Sequence, residues 1–213
     1  MTSLSQDSIL DIMYKFDIDD LVNICSTNPM YNQLCDSNVF WINKFNHDKL
    51  PFIPLKIGLK NKIDQYKKIK NAYDVSSKLV NYLMDKKPGY FNKIQVVEDN
   101  LDIDDIDWMP SIINDAIQNS KNDANRSLEF DIKDLIITYW YVKIDKHVYS
   151  NESTIVDVHV SKEEMIHYLS KLFYYFPDIA IINEPEDNEV DVFLSYQDLL
   201  HDEEYVRIVL NQW

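Results

Sequence analysis

Residues 4–45 read LSQDSILDIMYKFDIDDLVNICSTNPMYNQLCDSNVFWINKF, and apolar residues recur through this stretch at helical spacing, interrupted by turn residues. The first predicted helix carries a broad apolar side formed by Leu4, Ile9, Leu10, Ile12 and Met13. This side is wider than a small helical module buries by itself. Asp7 and Ser8 are expected to cap the start of the helix. Because each predicted helix is too short to be stable alone, the helices are expected to pack against each other.

Cap and turn residues divide the rest of the stretch. Asp17 is expected to cap a second helix that contains Leu21, and the Asn-Pro step at residues 28–29 ends that helix. A third helix then carries Tyr31, and a last short helical segment carries Trp41. The sequence therefore predicts a compact helical module at the start of the chain.

These residues resemble the F-box family. The family pattern begins with Leu-Pro and an acidic residue, continues through an Ile-Leu pair and Asp-Leu-Leu, and ends with Leu-Trp. The matching positions follow one register without a gap: Leu4, Asp7, Ile9, Leu10, Ile12, Met13, Phe16, Asp20, Leu21, Val22, Ile24, Tyr31, Leu34, Phe40 and Trp41. The chain departs from the pattern at Ser5 and Ile18, where proline is usual, and at residues 27–28. The resemblance covers about the first fifth of the chain.

The resemblance implies a three-helix module that docks on a Skp-type adaptor of a cullin-RING ubiquitin ligase. The adaptor-binding residues that it implies are Leu4, Ile9, Leu10, Ile12, Met13, Leu21, Tyr31 and Trp41. The rest of the chain would then capture a target protein. Frequent Ile, Asn, Asp, Lys and Tyr with scarce Ala, Gly and Arg also resemble the F-box proteins of large DNA viruses of protists.

A second interpretation is a non-enzymatic structural or interaction protein, for example a homo-oligomer or a virion component, whose N-terminal helices belong to its own core. The two interpretations differ in one observable, the exposure of the broad apolar side of the first helix in the isolated protein. An exposed side favours docking, and a buried side favours the structural role.

The remaining sequence predicts a mainly α fold with two domains. Pro51 and Pro54 bracket a linker, so we expect an F-box-like helical module at residues 1–50 and a predominantly helical domain at 51–213. Residues 131–149 have the length of a helix but are rich in β-branched and aromatic residues, which leaves open a small β-hairpin around residues 136–160. Helices are also predicted after Ser161, which opens a capping box, and after Ser195.

Lysines are concentrated in residues 56–87, where an apolar stripe predicts one or two amphipathic helices with the lysines on their outer faces. Such a surface could bind nucleic acid. The net charge of -15 favours instead a solvated face that complements the acidic remainder of the protein. We therefore expect no nucleic-acid partner.

No catalytic motif is recognisable, so we expect a protein without enzymatic activity, cofactor or metal. The five histidines and two cysteines do not fall at metal-ligand spacing, and the two glycines cannot form a phosphate-binding loop. Cys25 and Cys35 are expected to be reduced core thiols. We expect no signal peptide, because residues 1–20 lack a basic start and an apolar core, and no membrane span, because no apolar run approaches about 20 residues. A soluble cytoplasmic protein that binds no membrane is expected, in the host cytoplasm if it is viral, with the nucleus or virion as alternatives.

Overall fold

The computed structural model describes residues 6–85, 93–97, 106–121, 123–143, 152–177, 180–183 and 192–195. Contacts within the chain separate two compact units, Met1–Tyr73 and Asp74–Trp213. This division lies later in the chain than the predicted boundary near residue 50. That residues 1–50 form a module by themselves stays a prediction.

The first unit is helical. Its helices are α1 (Gln6–Met13), α2 (Ile18–Thr27), α3 (Pro29–Asp36), α4 (Asn38–His47) and the first part of α5 (Leu59–Met84), within which the division falls. The short helices predicted for residues 4–45 are thus present.

Side-chain caps mark the starts of α2 and α3. The carboxylate of Asp17 accepts a hydrogen bond from the backbone N–H of Asp20 at 2.8 Å, as predicted for the start of α2. Asn28 follows the last residue of α2, and its side chain caps α3 by accepting from the N–H of Met30 at 2.7 Å. The capping prediction for α1 was wrong, because α1 begins at Gln6 and therefore includes Asp7.

A disulfide joins α2 to α3. Cys25 and Cys35 are bonded to each other with their Cα atoms 5.9 Å apart, and both side chains are buried. The prediction of reduced thiols was wrong, because the turn at Asn28 brings two cysteines ten residues apart to a Cα separation that a disulfide requires.

The predicted linker is packed against α5. Ile53 is fully buried, and the side chain of Gln65 forms two hydrogen bonds with the backbone of this segment. Its Oε1 accepts from the N–H of Lys56 at 2.6 Å, and its Nε2 donates to the carbonyl of Pro54 at 2.9 Å. The segment is therefore held against α5 and is not a free hinge.

The second unit contains an antiparallel sheet with the strand order β4-β3-β2-β1-β5-β6. The strands are β1 (Lys93–Val97), β2 (Ala124–Asp131), β3 (Ile136–Lys143), β4 (Glu152–His159), β5 (Ala180–Asn183) and β6 (Val192–Ser195). The expected hairpin around residues 136–160 is present as β3 and β4. The sheet is larger than this hairpin, because β2, β1, β5 and β6 continue it beyond β3.

Besides the last part of α5, the second unit contains the helices α6 (Ser111–Asn119) and α7 (Lys162–Tyr175). α6 packs against β3 and β4, and the hydroxyls of Ser120 and Tyr139 share a buried hydrogen bond of 2.7 Å at the end of α6. The predicted capping box opens α7, since Ser161 and Glu164 exchange side-chain to backbone hydrogen bonds. The predicted last helix lies outside the described residues, apart from Ser195.

Helices contain more of the described residues than strands, so the mainly helical class is confirmed. None of the helices in the described part of the chain has both the length and the apolar composition that crossing a bilayer requires.

Candidate protein-docking face

The outer side of α1 carries apolar residues at the surface. Ile12 is 44% exposed, and Ile9 and Leu10 are half-buried. Ile9 and Ile12 are three positions apart and therefore neighbours on the helix surface. We call Ile9 and Ile12 the α1 face. Leu10 lies two positions from Ile12, on the other side of the buried Met13, and is not part of this face. A partner could reach the α1 face.

The other predicted adaptor-binding residues lie elsewhere. Met13, Leu21 and Trp41 belong to the core, where Trp41 donates its indole N–H to the carbonyl of Cys35 at 2.6 Å. Tyr31 is half-buried on α3. Leu4 lies outside the described residues. Met13, Leu21 and Trp41 are therefore core residues in the isolated protein, and their direct contact with an adaptor stays a prediction.

A buried lysine fixes the end of α1. The ammonium group of Lys44 on α4 donates to the carbonyls of Tyr14 at 2.8 Å and Phe16 at 2.9 Å, immediately after the last residue of α1. Lys44 is 2% exposed. These carbonyls are at the negative end of the helix dipole, where a cation is favourable. Lys44 thus sets the position of the C-terminal end of the α1 face.

The buried charge of Lys44 is balanced locally. The carboxylate of Asp48, one turn later on the chain, lies 2.7 Å from the Lys44 ammonium. The hydroxyl of Tyr66 donates to the same carboxylate, and the ring of Tyr66 lies 5.5 Å from the ammonium. We call Lys44, Asp48 and Tyr66 the Lys44 clamp.

Asp48 remains ionised within this cluster. Burial alone would raise the pKa of its carboxyl, but hydrogen bonds from Lys44, Tyr66 and His47, with the charge of Lys44, outweigh burial and lower the pKa below 3.8. The clamp is therefore an ion pair at neutral pH.

Sequence reasoning missed the clamp. The available signal was a lysine inside the apolar run of residues 39–45, followed four positions later by an acidic residue. A lysine within such a run either points to solvent, which interrupts the apolar side of the helix, or is buried with partners that balance its charge.

α4 adds exposed apolar residues that the sequence prediction also missed. Val39 and Ile42 are exposed and lie three positions apart. The start of α4 is held at the end of α1, since the rings of Tyr14 and Phe40 are 5.2 Å apart and Asn43 donates to the Tyr14 hydroxyl at 3.2 Å. Val39 and Ile42 therefore extend the list of candidate docking residues.

One lysine of the basic segment is not on an outer face. Lys62 of α5 is buried, and its ammonium group binds the carbonyl and, at 3.3 Å, the carboxylate of Asp36 at the end of α3. The prediction that all these lysines are solvated was wrong at this position, because the end of α3 lies against α5.

The part of the chain that the structure describes contains no group of three or more His, Cys, Asp or Glu side chains placed to hold a metal. Comparisons with protein-family models, with curated proteins and with solved structures found no match to this chain. The resemblance to the F-box therefore depends on the residues of the chain alone.

Proposed function

We propose that this protein is an F-box-like adaptor. Its α1 face docks on a Skp-type adaptor of a cullin-RING ubiquitin ligase, and its C-terminal region captures a target protein. The observation that supports the proposal is the exposure of Ile12 beside the half-buried Ile9. Covering an exposed apolar surface with a partner removes it from water, which favours binding.

The Lys44 clamp supports the same proposal. Docking is stronger when the binding surface is already held in its bound geometry, because less conformational entropy is lost on association. Lys44 holds the carbonyls that follow α1, so the α1 face does not have to order itself on contact.

One observation favours the alternative function, a structural or interaction protein that forms a homo-oligomer or a virion component. Met13, Leu21 and Trp41 are all buried in the protein's own fold. In that case the α1 face would contact another copy or another structural protein.

Binding of a purified, fluorescently labelled Skp-type adaptor tests the proposal. Replacing Ile9 and Ile12 together by alanine should weaken binding by about 30-fold to 1,000-fold. Covering the exposed parts of two such side chains is worth roughly 2 to 4 kcal/mol, allowing for the half-burial of Ile9 in the free protein. The melting temperature should fall only slightly.

The matched control is Ile112→Ala, which removes an equally apolar, exposed side chain from α6. It should bind the adaptor like the wild type. Trp41→Ala should instead destabilise the protein by about 3 to 5 kcal/mol, because it empties a core site. A wild-type protein that does not bind the adaptor at micromolar concentration, or a double variant that unfolds, would favour the alternative function.

A further inference from the structure

The outer edge of β4 is open in the described part of the chain. β4 is the last strand of the sheet and pairs with β3 through eight consecutive residue pairs without a register shift. On its other side, no strand among the described residues pairs with it. Its outward backbone groups are therefore available for a further strand.

The hydrogen-bond phase of the β3–β4 ladder identifies these outward groups. The N–H of Val160 donates to the carbonyl of Leu135 at 2.9 Å, which makes the next pair, Ile136 with His159, a non-hydrogen-bonded pair. Alternation along the ladder then directs the N–H and C=O groups of four β4 residues away from β3. These residues are Ser153, Ile155, Asp157 and His159.

A side-chain contact agrees with this phase. The hydroxyl of Thr138 donates to the carboxylate of Asp157 at 2.7 Å, across one of the non-hydrogen-bonded pairs, where side chains approach most closely. Four donors and four acceptors of the backbone thus line the open edge of β4.

The two ends of the sheet differ in their protection against strand pairing. Among the described residues, β6 is the strand at the other end of the sheet and has four residues, and a very short edge strand is a usual protection. β4 has eight residues and contains no proline, no lysine and no bulge. β4 is therefore the edge that is suited to accept a strand.

Side chains along this edge define what the added strand should carry. Ile155 is 61% exposed and lies beside Trp140 of β3, and Asp157, two residues further on the same face, is also exposed. Residues directly opposite each other in an antiparallel pair have their side chains on the same face. An apolar residue would therefore pack on Ile155, and a basic residue two positions away would pair with Asp157.

Charge distinguishes between a basic peptide and a second copy of the chain. The chain has a net charge of -15, so two copies repel each other, whereas a basic segment is attracted. We propose that the open edge of β4 binds an extended peptide segment with alternating apolar and basic residues on one face, which adds to the sheet as a strand. In the proposed function, this peptide segment would belong to the target protein, and that part of the inference rests on the proposed function.

Fluorescence anisotropy with a labelled synthetic peptide tests this inference. In the peptide, threonines alternate with valine and lysine in turn, so that one face carries valine and lysine two positions apart. We expect saturable binding to the full chain. The same peptide with glutamate in place of lysine, or with N-methyl groups on the backbone nitrogens, should not bind.

Two variants locate the site. Asp157→Lys should weaken binding by about tenfold or more, because an attractive pair becomes a repulsive one. Ile155→Pro removes an outward N–H without removing a bond to β3, so it should abolish binding while the melting temperature stays close to that of the wild type. Ile112→Ala is the control for loss of an exposed apolar residue and should bind like the wild type.

Three results would overturn the inference: no peptide binding at about millimolar concentration, binding that Ile155→Pro leaves unchanged, or dimers of the wild-type chain that Ile155→Pro dissociates. The last result would assign the edge to a second copy. The adaptor assay is separate, since Ile9→Ala with Ile12→Ala should leave peptide binding unchanged. Peptide binding without adaptor binding would keep the β4 site and reject the adaptor function.

Discussion

Lys44 is a buried lysine whose charge is balanced within its own unit. Its ammonium group is buried between two backbone carbonyls, the carboxylate of Asp48 and the ring of Tyr66. An ammonium group can be buried only where its charge and its donors are satisfied, and here all of these partners come from the surrounding fold.

Replacing Lys44 by methionine should therefore be costly. The variant leaves the carbonyls of Tyr14 and Phe16 without their donor and leaves Asp48 as an uncompensated charge, which should lower the free energy of unfolding by about 3 to 5 kcal/mol. Urea denaturation measures this difference. The matched control is Lys67→Met, since Lys67 pairs with Asp19 at 2.8 Å on the surface, where such a pair is worth about 0 to 1 kcal/mol. Equal costs for the two variants would show that the clamp does not stabilise the fold.

Asp48 gives the clamp a pH dependence. Because its pKa is lower in the folded protein than in the unfolded chain, its contribution is fully present above the unfolded value near 3.8 and is lost as the pH falls through the folded value. The difference in unfolding free energy between the wild type and Asp48→Asn should therefore be large at about pH 6 and shrink below about pH 4. Urea denaturation at a series of pH values measures it. A difference that stays constant across this range would contradict the assigned role of Asp48.

At the scale of elements, the two candidate binding surfaces lie on a short helix, α1, and on an edge strand, β4. α1 has only eight residues and gains its stability from packing and from the clamp. β4 gains its stability from β3 on one side and from α6 on one face, which leaves its outer edge open in the described chain. In both elements, one side already packs or pairs within the protein, and the candidate binding surface is another side.

The disulfide between α2 and α3 leads to a prediction at this scale. Closing a loop with a sequence separation of ten residues should stabilise the protein by about 2 to 3 kcal/mol through the lost entropy of the unfolded chain. Urea denaturation with and without reductant measures this. The variant Cys25→Ala with Cys35→Ala serves as the control, because reductant should not change its stability.

Alkylation followed by mass spectrometry reports the state of the two cysteines directly. Without reductant, unfolded protein should take up no alkylating groups, and with reductant it should take up one at each cysteine. This matters for location, because disulfides persist in oxidising compartments, whereas the sequence predicts a cytoplasmic protein. Two free thiols in the protein purified without reductant would contradict the disulfide.

At the scale of the whole molecule, charge determines which partners are attracted. The chain has 36 acidic and 21 basic residues, so its long-range field repels polyanions even though lysines are frequent along α5. A target or adaptor with a basic surface would be attracted instead.

DNA binding tests this balance. The anisotropy of a labelled duplex should stay unchanged up to roughly ten micromolar protein at low salt, because non-specific binding requires a positively charged surface that the net charge opposes. Submicromolar binding that weakens with salt would contradict this prediction. In that case Lys60→Glu with Lys67→Glu and Lys68→Glu, at three exposed lysines of α5, would show whether α5 is responsible.

The sequence by itself determined the short helices of residues 6–47, the cap at Asp17 and the capping box at Ser161, whereas it left the hairpin of β3 and β4 open beside a helix. The determined features depend on neighbouring residues, since caps act over three positions and helix periodicity over a few turns. Local sequence carries the information for all of them.

Only the tertiary structure decided which residues of the predicted binding set are reachable and which belong to the core. Ile12 and Met13 are adjacent and similarly apolar, yet one is exposed and the other buried, because α1 turns one side toward the rest of its unit. The Lys44 clamp, the disulfide and the open edge of β4 depend in the same way on groups brought together by packing or strand order. A sequence pattern gives no distance between side chains far apart along the chain, so these features could be found only from the fold.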